Sequence, residues 1–77
     1  MITTNAYDII RKTSEQVAYC YSCAKFFDSA SAYRTFHDQA FGMISLASVL
    51  VPADLFDELG EIWDEYKPKF ETLIYGE

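Results

Sequence analysis

Helix breakers are nearly missing from this chain. Proline occurs only at Pro52 and Pro68, and glycine only at Gly42, Gly60 and Gly76, which leaves long stretches with nothing to stop a helix. Basic residues are few as well: six Lys and Arg stand against twelve Asp and Glu, a formal net charge of −6. A chain that acidic is repelled by phosphate backbones. Its basic clusters do not exceed the pairs Arg11 with Lys12 and Lys67 with Lys69, so direct nucleic-acid binding is not expected. Two cysteines are too few for a disulfide framework and suggest free thiols in a reducing cytoplasm. The stretch MITTNAYD lacks the basic and apolar regions of a secretory signal. The longest apolar-rich run, Ala40 to Val51, is interrupted by Gly42, Ser45 and Ser48 and is too short to span a bilayer. A cytoplasmic protein without membrane contact is the expectation.

What the chain does have is apolar surface. Of its 77 residues, 51 % are apolar and thirteen are Phe, Tyr or Trp. At this size a single core is only marginally sufficient, so residues 1–77 are read as one helical domain. That is more apolar surface than so small a monomer easily hides, which points to a covering partner or a second copy. A symmetric homodimer is the default form of self-association.

The apolar residues recur at helical spacing. Asn5 followed by Asp8 resembles an N-cap with an acid in the first turn, and Ile10, Thr13, Val17, Cys20, Ala24 and Phe27 then form one stripe. Thr13 with Gln16 offers a second capping box, so a break near Thr13 and Ser14 is possible. The DSAS stretch, Asp28 to Ser31, turns the chain. Tyr33, Phe36, Ala40, Met43, Ala47 and Leu50 make a second stripe, widened by Phe41, Ile44 and Val51, so this helix is expected to contact two neighbours. Gly42 within it costs about 1 kcal/mol relative to Ala, which a close helix crossing would offset. Pro52 ends the helix by pushing Val51 toward extended geometry. The third stripe is Leu55, Leu59, Ile62, Tyr66, Phe70 and Leu73, with Phe56 and Trp63 flanking. Pro68 falls inside it and predicts a kink or a short separate C-terminal turn. The expected fold is all-α: a three-helix bundle or hairpin-like helical domain, with helices over about 5–28, 31–50 and 53–75, kinked near Pro68 and associating as a helical homodimer.

One stretch, YCYSCAKFF from Tyr19 to Phe27, resembles the opening of a zinc finger, with Lys25 and Phe27 following Cys23 at the usual spacing. The resemblance breaks down on inspection. The aromatic such fingers carry two residues before the first Cys is here Ala18. Zinc needs four ligands, and after Cys20 and Cys23 the sole histidine is His37, one position late, with Phe41 where a second would fall. Asp38 is adjacent to His37 and is expected on a different side of the helix. The stretch has helical periodicity rather than the Gly or Pro of a knuckle. Cys20, Cys23 and His37 are therefore read as structural, the thiols as small apolar side chains. No metal or other cofactor is expected. No nucleophile elbow, phosphate loop or zincin pattern is present, and neither cysteine has a visible activating neighbour, so no catalytic residues are assigned.

The most informative feature is where the charge lies. Each base has an acid three or four positions away: Arg11 and Lys12 have Asp8, Lys25 has Asp28, and Arg34 has Asp38. Lys67 has Asp64 or Glu71, and Lys69 has Glu65. The stretch DLFDELGEIWDE, residues 54 to 65, holds Asp54, Asp57, Glu58, Glu61, Asp64 and Glu65 and no base. The remainder is balanced, so the whole net charge sits in one segment. On a helix these six acids form a band facing away from Leu55, Leu59, Ile62 and Tyr66, with Phe56 and Trp63 at the edge of the apolar arc. The band serves either as a solubilising face or as a docking surface for a partner protein with a basic surface, anchored by Trp63 or Phe56.

Small, acidic, motif-free character of this kind resembles that of phage and mobile-element inhibitors, some of which imitate a row of phosphates. It predicts a non-catalytic inhibitor or regulator acting on a protein partner. The alternative is an assembly module that pairs through the apolar surface of the second helix and Tyr19, Tyr21, Phe26 and Phe41.

Overall fold

The computed structural model describes residues 5–76. Three helices follow one another: α1 (Ala6–Phe27), α2 (Ala30–Leu50) and α3 (Phe56–Tyr75), with no strand among the described residues. Asn5 caps α1, its side-chain oxygen accepting from the Tyr7 N–H at 2.7 Å, and Asp8 lies in the first turn. The break considered near Thr13 is not there. The Thr13 hydroxyl donates to the Ile9 carbonyl at 2.7 Å, which satisfies it inside a continuous, buried helical turn.

Asp28 ends α1 in the left-handed region (φ 49°), with its N–H donated to the Ala24 carbonyl. Ser29 then caps α2, its hydroxyl oxygen accepting from the Ala32 N–H at 3.1 Å. The Tyr33 hydroxyl closes the corner by donating to the Asp28 carboxylate. At the far end Val51 is extended (φ −115°, ψ 155°), as the proline after it requires. The Pro52 carbonyl accepts from the Leu55 N–H at 3.0 Å and closes one 3-10 turn, Ala53–Leu55. The α-helix proper therefore starts at Phe56, three residues later than the apolar spacing implies. α3 then runs through Pro68 to Tyr75 as one helix, so no separate C-terminal turn forms. Proline withholds one N–H from the ladder there, and the Thr72 hydroxyl donates to the Pro68 carbonyl at 2.9 Å.

The core is made where the three stripes meet. Val17, Cys20 and Ala24 of α1, Ala40 of α2 and Phe70 of α3 form one buried cluster, and Ala47, Val51 and Leu59 a second. Three of the buried residues, Ala24, Ala40 and Ala47, are small. Gly42 is not among them: it is exposed, and a Cβ built on it meets nothing within 4 Å. No close crossing offsets the cost of Gly42, and the buried small residues of α2, Ala40 and Ala47, lie on another face of the helix. The bundle is long and thin, 43 × 24 × 14 Å in its principal extents, so much of each helix stays at the surface. No helix among the described residues is long and apolar enough to cross a membrane.

Candidate interaction surface

Asp54, Asp57, Glu58, Glu61, Asp64 and Glu65 are all exposed, Asp54 on the 3-10 turn and the rest on α3. Beneath them Leu59 is buried, and Leu55, Ile62 and Tyr66 are half-buried. The band divides in space. Glu58, Glu61 and Glu65 line one wall of an open groove of about 380 Å³ between α3 and α1. Glu15 and Arg11 line the other wall, with Ile10, Ile62 and Tyr66 between. The Tyr66 phenol is pushed above its ordinary range by burial first and by the Glu65 carboxylate second. Glu15 was not visible as part of this surface, because linear spacing cannot show which faces of two helices adjoin.

The two flanking aromatics have different surroundings. Phe56 is 46 % exposed, whereas Trp63 is packed against the core. The indole lies 5.3 Å from the His37 ring and 5.5 Å from the Phe41 ring, on α2, and 6.4 Å from Phe70. Trp63 is chiefly engaged in joining α2 to α3, which leaves Phe56 as the more available apolar contact.

Among the described residues Arg11 alone of the bases pairs with its expected acid, Asp8, at 3.4 Å. Lys25 and Lys69 lie over tyrosine rings instead: Lys25 Nζ is 5.4 Å from the Tyr21 centroid, and Lys69 Nζ 4.8 Å from that of Tyr66. A ring face competes well here because the stem of a lysine also covers apolar surface. No base among the described residues pairs with Asp54, Asp57, Glu58, Glu61, Asp64 or Glu65.

Cys20 and Cys23 are free thiols one turn apart on α1, Cys20 buried and Cys23 half-buried. Burial, then the neighbouring Cys23, push the Cys20 thiol up, and hydrogen bonding to Cys23 does the same to the exposed Tyr19 phenol. His37 stands on α2 against Trp63 and Phe70. Its Nδ1 lies 3.0 Å from Asp38 Oδ1, so the two side chains meet despite being adjacent on the helix. Among the described residues no three His, Cys, Asp or Glu side chains converge as metal ligands do.

No family model, curated protein or solved structure matches this chain. Its class is that of an all-helical bundle with an acidic face on one helix.

Proposed function

We propose that this protein is a non-catalytic interaction module, a cytoplasmic inhibitor or regulator that binds a basic surface of a target protein through the acidic face of α3. The observation that carries this reading is the exposure of six carboxylates on one segment, with no base paired to them among the described residues. Like charges at i, i+3 and i, i+4 lower the stability of their own helix by a few tenths of a kcal/mol per pair. A positively charged target would relieve that repulsion and be steered toward the band. Phage- or mobile-element-encoded mimics of nucleic acid present the same kind of surface. Binding should weaken steeply with salt and be lost when Asp57, Glu58, Glu61, Asp64 and Glu65 become amides. Binding indifferent to both changes removes the reading.

A second reading, self-assembly, is favoured by a different observation. Tyr19, Phe26, Phe27, Leu46, Val49 and Leu50 are each more than half exposed. Those residues lie on α1 and α2 and the acids on the 3-10 turn and α3, so a homodimer and an acid-directed partner are compatible.

A further inference from the structure

We infer that the apolar face of the α1–α2 hairpin is a two-fold interface, in which Phe26 of each copy enters a hollow near Leu46 and Leu50 of the other. The inference rests on the self-assembly reading and specifies its geometry. The hollow measures about 270 Å³ and lies between α1 and α2, with no α3 residue in its lining. Ile9, Met43, Leu46 and Leu50 give it an apolar wall, and Lys12 is the only charged residue there among the described residues. The hollow is an open groove rather than an enclosed cavity, so a phenyl ring entering it would lie against Met43, Leu46 and Leu50 along one side.

Three features select a second copy as the occupant. The first is charge. Lys12, Gln16, Tyr19, Cys23 and Phe26 follow one another at spacings of three and four along α1, as do Phe36, Gln39, Met43, Leu46 and Leu50 along α2. Neither stripe contains an acid, although the chain carries twelve, and Glu15 of α1 lines the opposite groove. With Asp8 and Glu15 at the edge of the α1 stripe rather than in it, two molecules of charge −6 meet fewer carboxylates across this face than across α3.

The second is shape. The hollow lies toward the open end of the hairpin, and Phe26, 82 % exposed, projects at the turn end. The two are separated by roughly 20 Å along α1 at 1.5 Å per residue. A two-fold axis passing near Tyr19 sets each Phe26 over the other copy's hollow. This is the self-complementarity an isologous contact requires.

The third is area. Tyr19, Phe26 and Phe27 are 63 %, 82 % and 60 % exposed. At about 150–250 Å² per aromatic side chain they offer roughly 400 Å², half of the roughly 800 Å² per partner of a standard interface. Leu46 and Leu50 add to it.

The test is sedimentation equilibrium of the full chain, comparing the native protein with Phe26→Lys, with Leu46→Glu and with an equimolar mixture of the two. Circular dichroism checks that each variant stays helical. A Tyr75→Lys control, on α3, should dimerise as the native protein does. Each interface variant alone should raise the dimer dissociation constant by at least roughly thirtyfold, as loss of a central anchor does. The mixture should restore a dimer, because one Phe26→Lys side chain then meets one Leu46→Glu side chain while the other contact stays native. A native dimer indifferent to both substitutions overturns this interface and spares self-assembly. A native protein that stays monomeric at every concentration overturns both. Monomeric variants that fail to combine overturn the pairing of Phe26 with the hollow.

Discussion

The indole of Trp63 meets the ring of Phe41 edge to face, with centroids 5.5 Å apart and planes at 61°. This contact ties α3 to α2 on the flank that His37 also occupies. Trp63→Ala should therefore act first on stability. The loss should fall toward the lower end of the roughly 3–5 kcal/mol typical of buried Trp or Phe truncation, because Trp63 is half-buried. Urea titration followed by circular dichroism measures it. As the sole tryptophan, Trp63 should also show a red shift of its emission on unfolding.

The same residue shows how much was legible in the sequence. The three helices were, because stripes such as Val17, Cys20 and Ala24 can be buried only on a helix, and Pro52 dictates the extended Val51 before it. Trp63 and Phe56 share an edge of the α3 stripe, yet one packs on α2 and the other is substantially exposed. That difference depends on where α2 ends relative to α3, which no helical wheel contains. Gly42 misled for a similar reason: a small residue suits a close crossing, but the buried small residues of α2 are Ala40 and Ala47. The lysines sit over tyrosine rings, Lys25 over Tyr21 and Lys69 over Tyr66, at the same three- and four-residue spacings as their nearest acids, so helical spacing alone does not choose between ring and carboxylate.

Gly42 and Gly60 lie within helices, are exposed, and leave open space where a Cβ would go. Replacing either with alanine should stabilise the protein by up to about 1 kcal/mol. In a domain of this size the melting temperature should rise by roughly 4–8 °C per kcal/mol. Calorimetry of the single and double variants measures this, and a fall for either would mean that its backbone is packed closely against something.

The two thiols should differ in reactivity. Cys20 is buried with its thiol pushed up, whereas Cys23 is half-buried, and reactivity follows exposed thiolate. Native protein treated with iodoacetamide at neutral pH should be modified at Cys23 first, with Cys20 following only on unfolding. Peptide mass spectrometry over a time course distinguishes this from equal labelling.

Alkaline pH should weaken the fold. The Tyr33 phenol is raised by its hydrogen bond to Asp28, and Tyr66 by burial ahead of Glu65. Unfolded, both titrate near pH 10. Above that the folded chain holds more protons than the unfolded one, so stability falls as pH rises. The contribution is complete below the unfolded value and disappears as pH climbs through the folded values. Melting temperatures measured from neutral to strongly alkaline pH should drop less for a Tyr33→Phe, Tyr66→Phe double variant than for the native protein.

The acidic face of α3 is tested most directly by affinity capture from host lysate at low and high salt. The native protein is compared with a form in which Asp57, Glu58, Glu61, Asp64 and Glu65 are amides, and any captured protein is purified and titrated against both. A basic target should bind the native protein, lose affinity steeply with salt and fail to bind the amide form. Equal binding of both forms at every salt concentration, or capture of nothing but further copies of the chain, would contradict the account and leave the carboxylates a solubilising role.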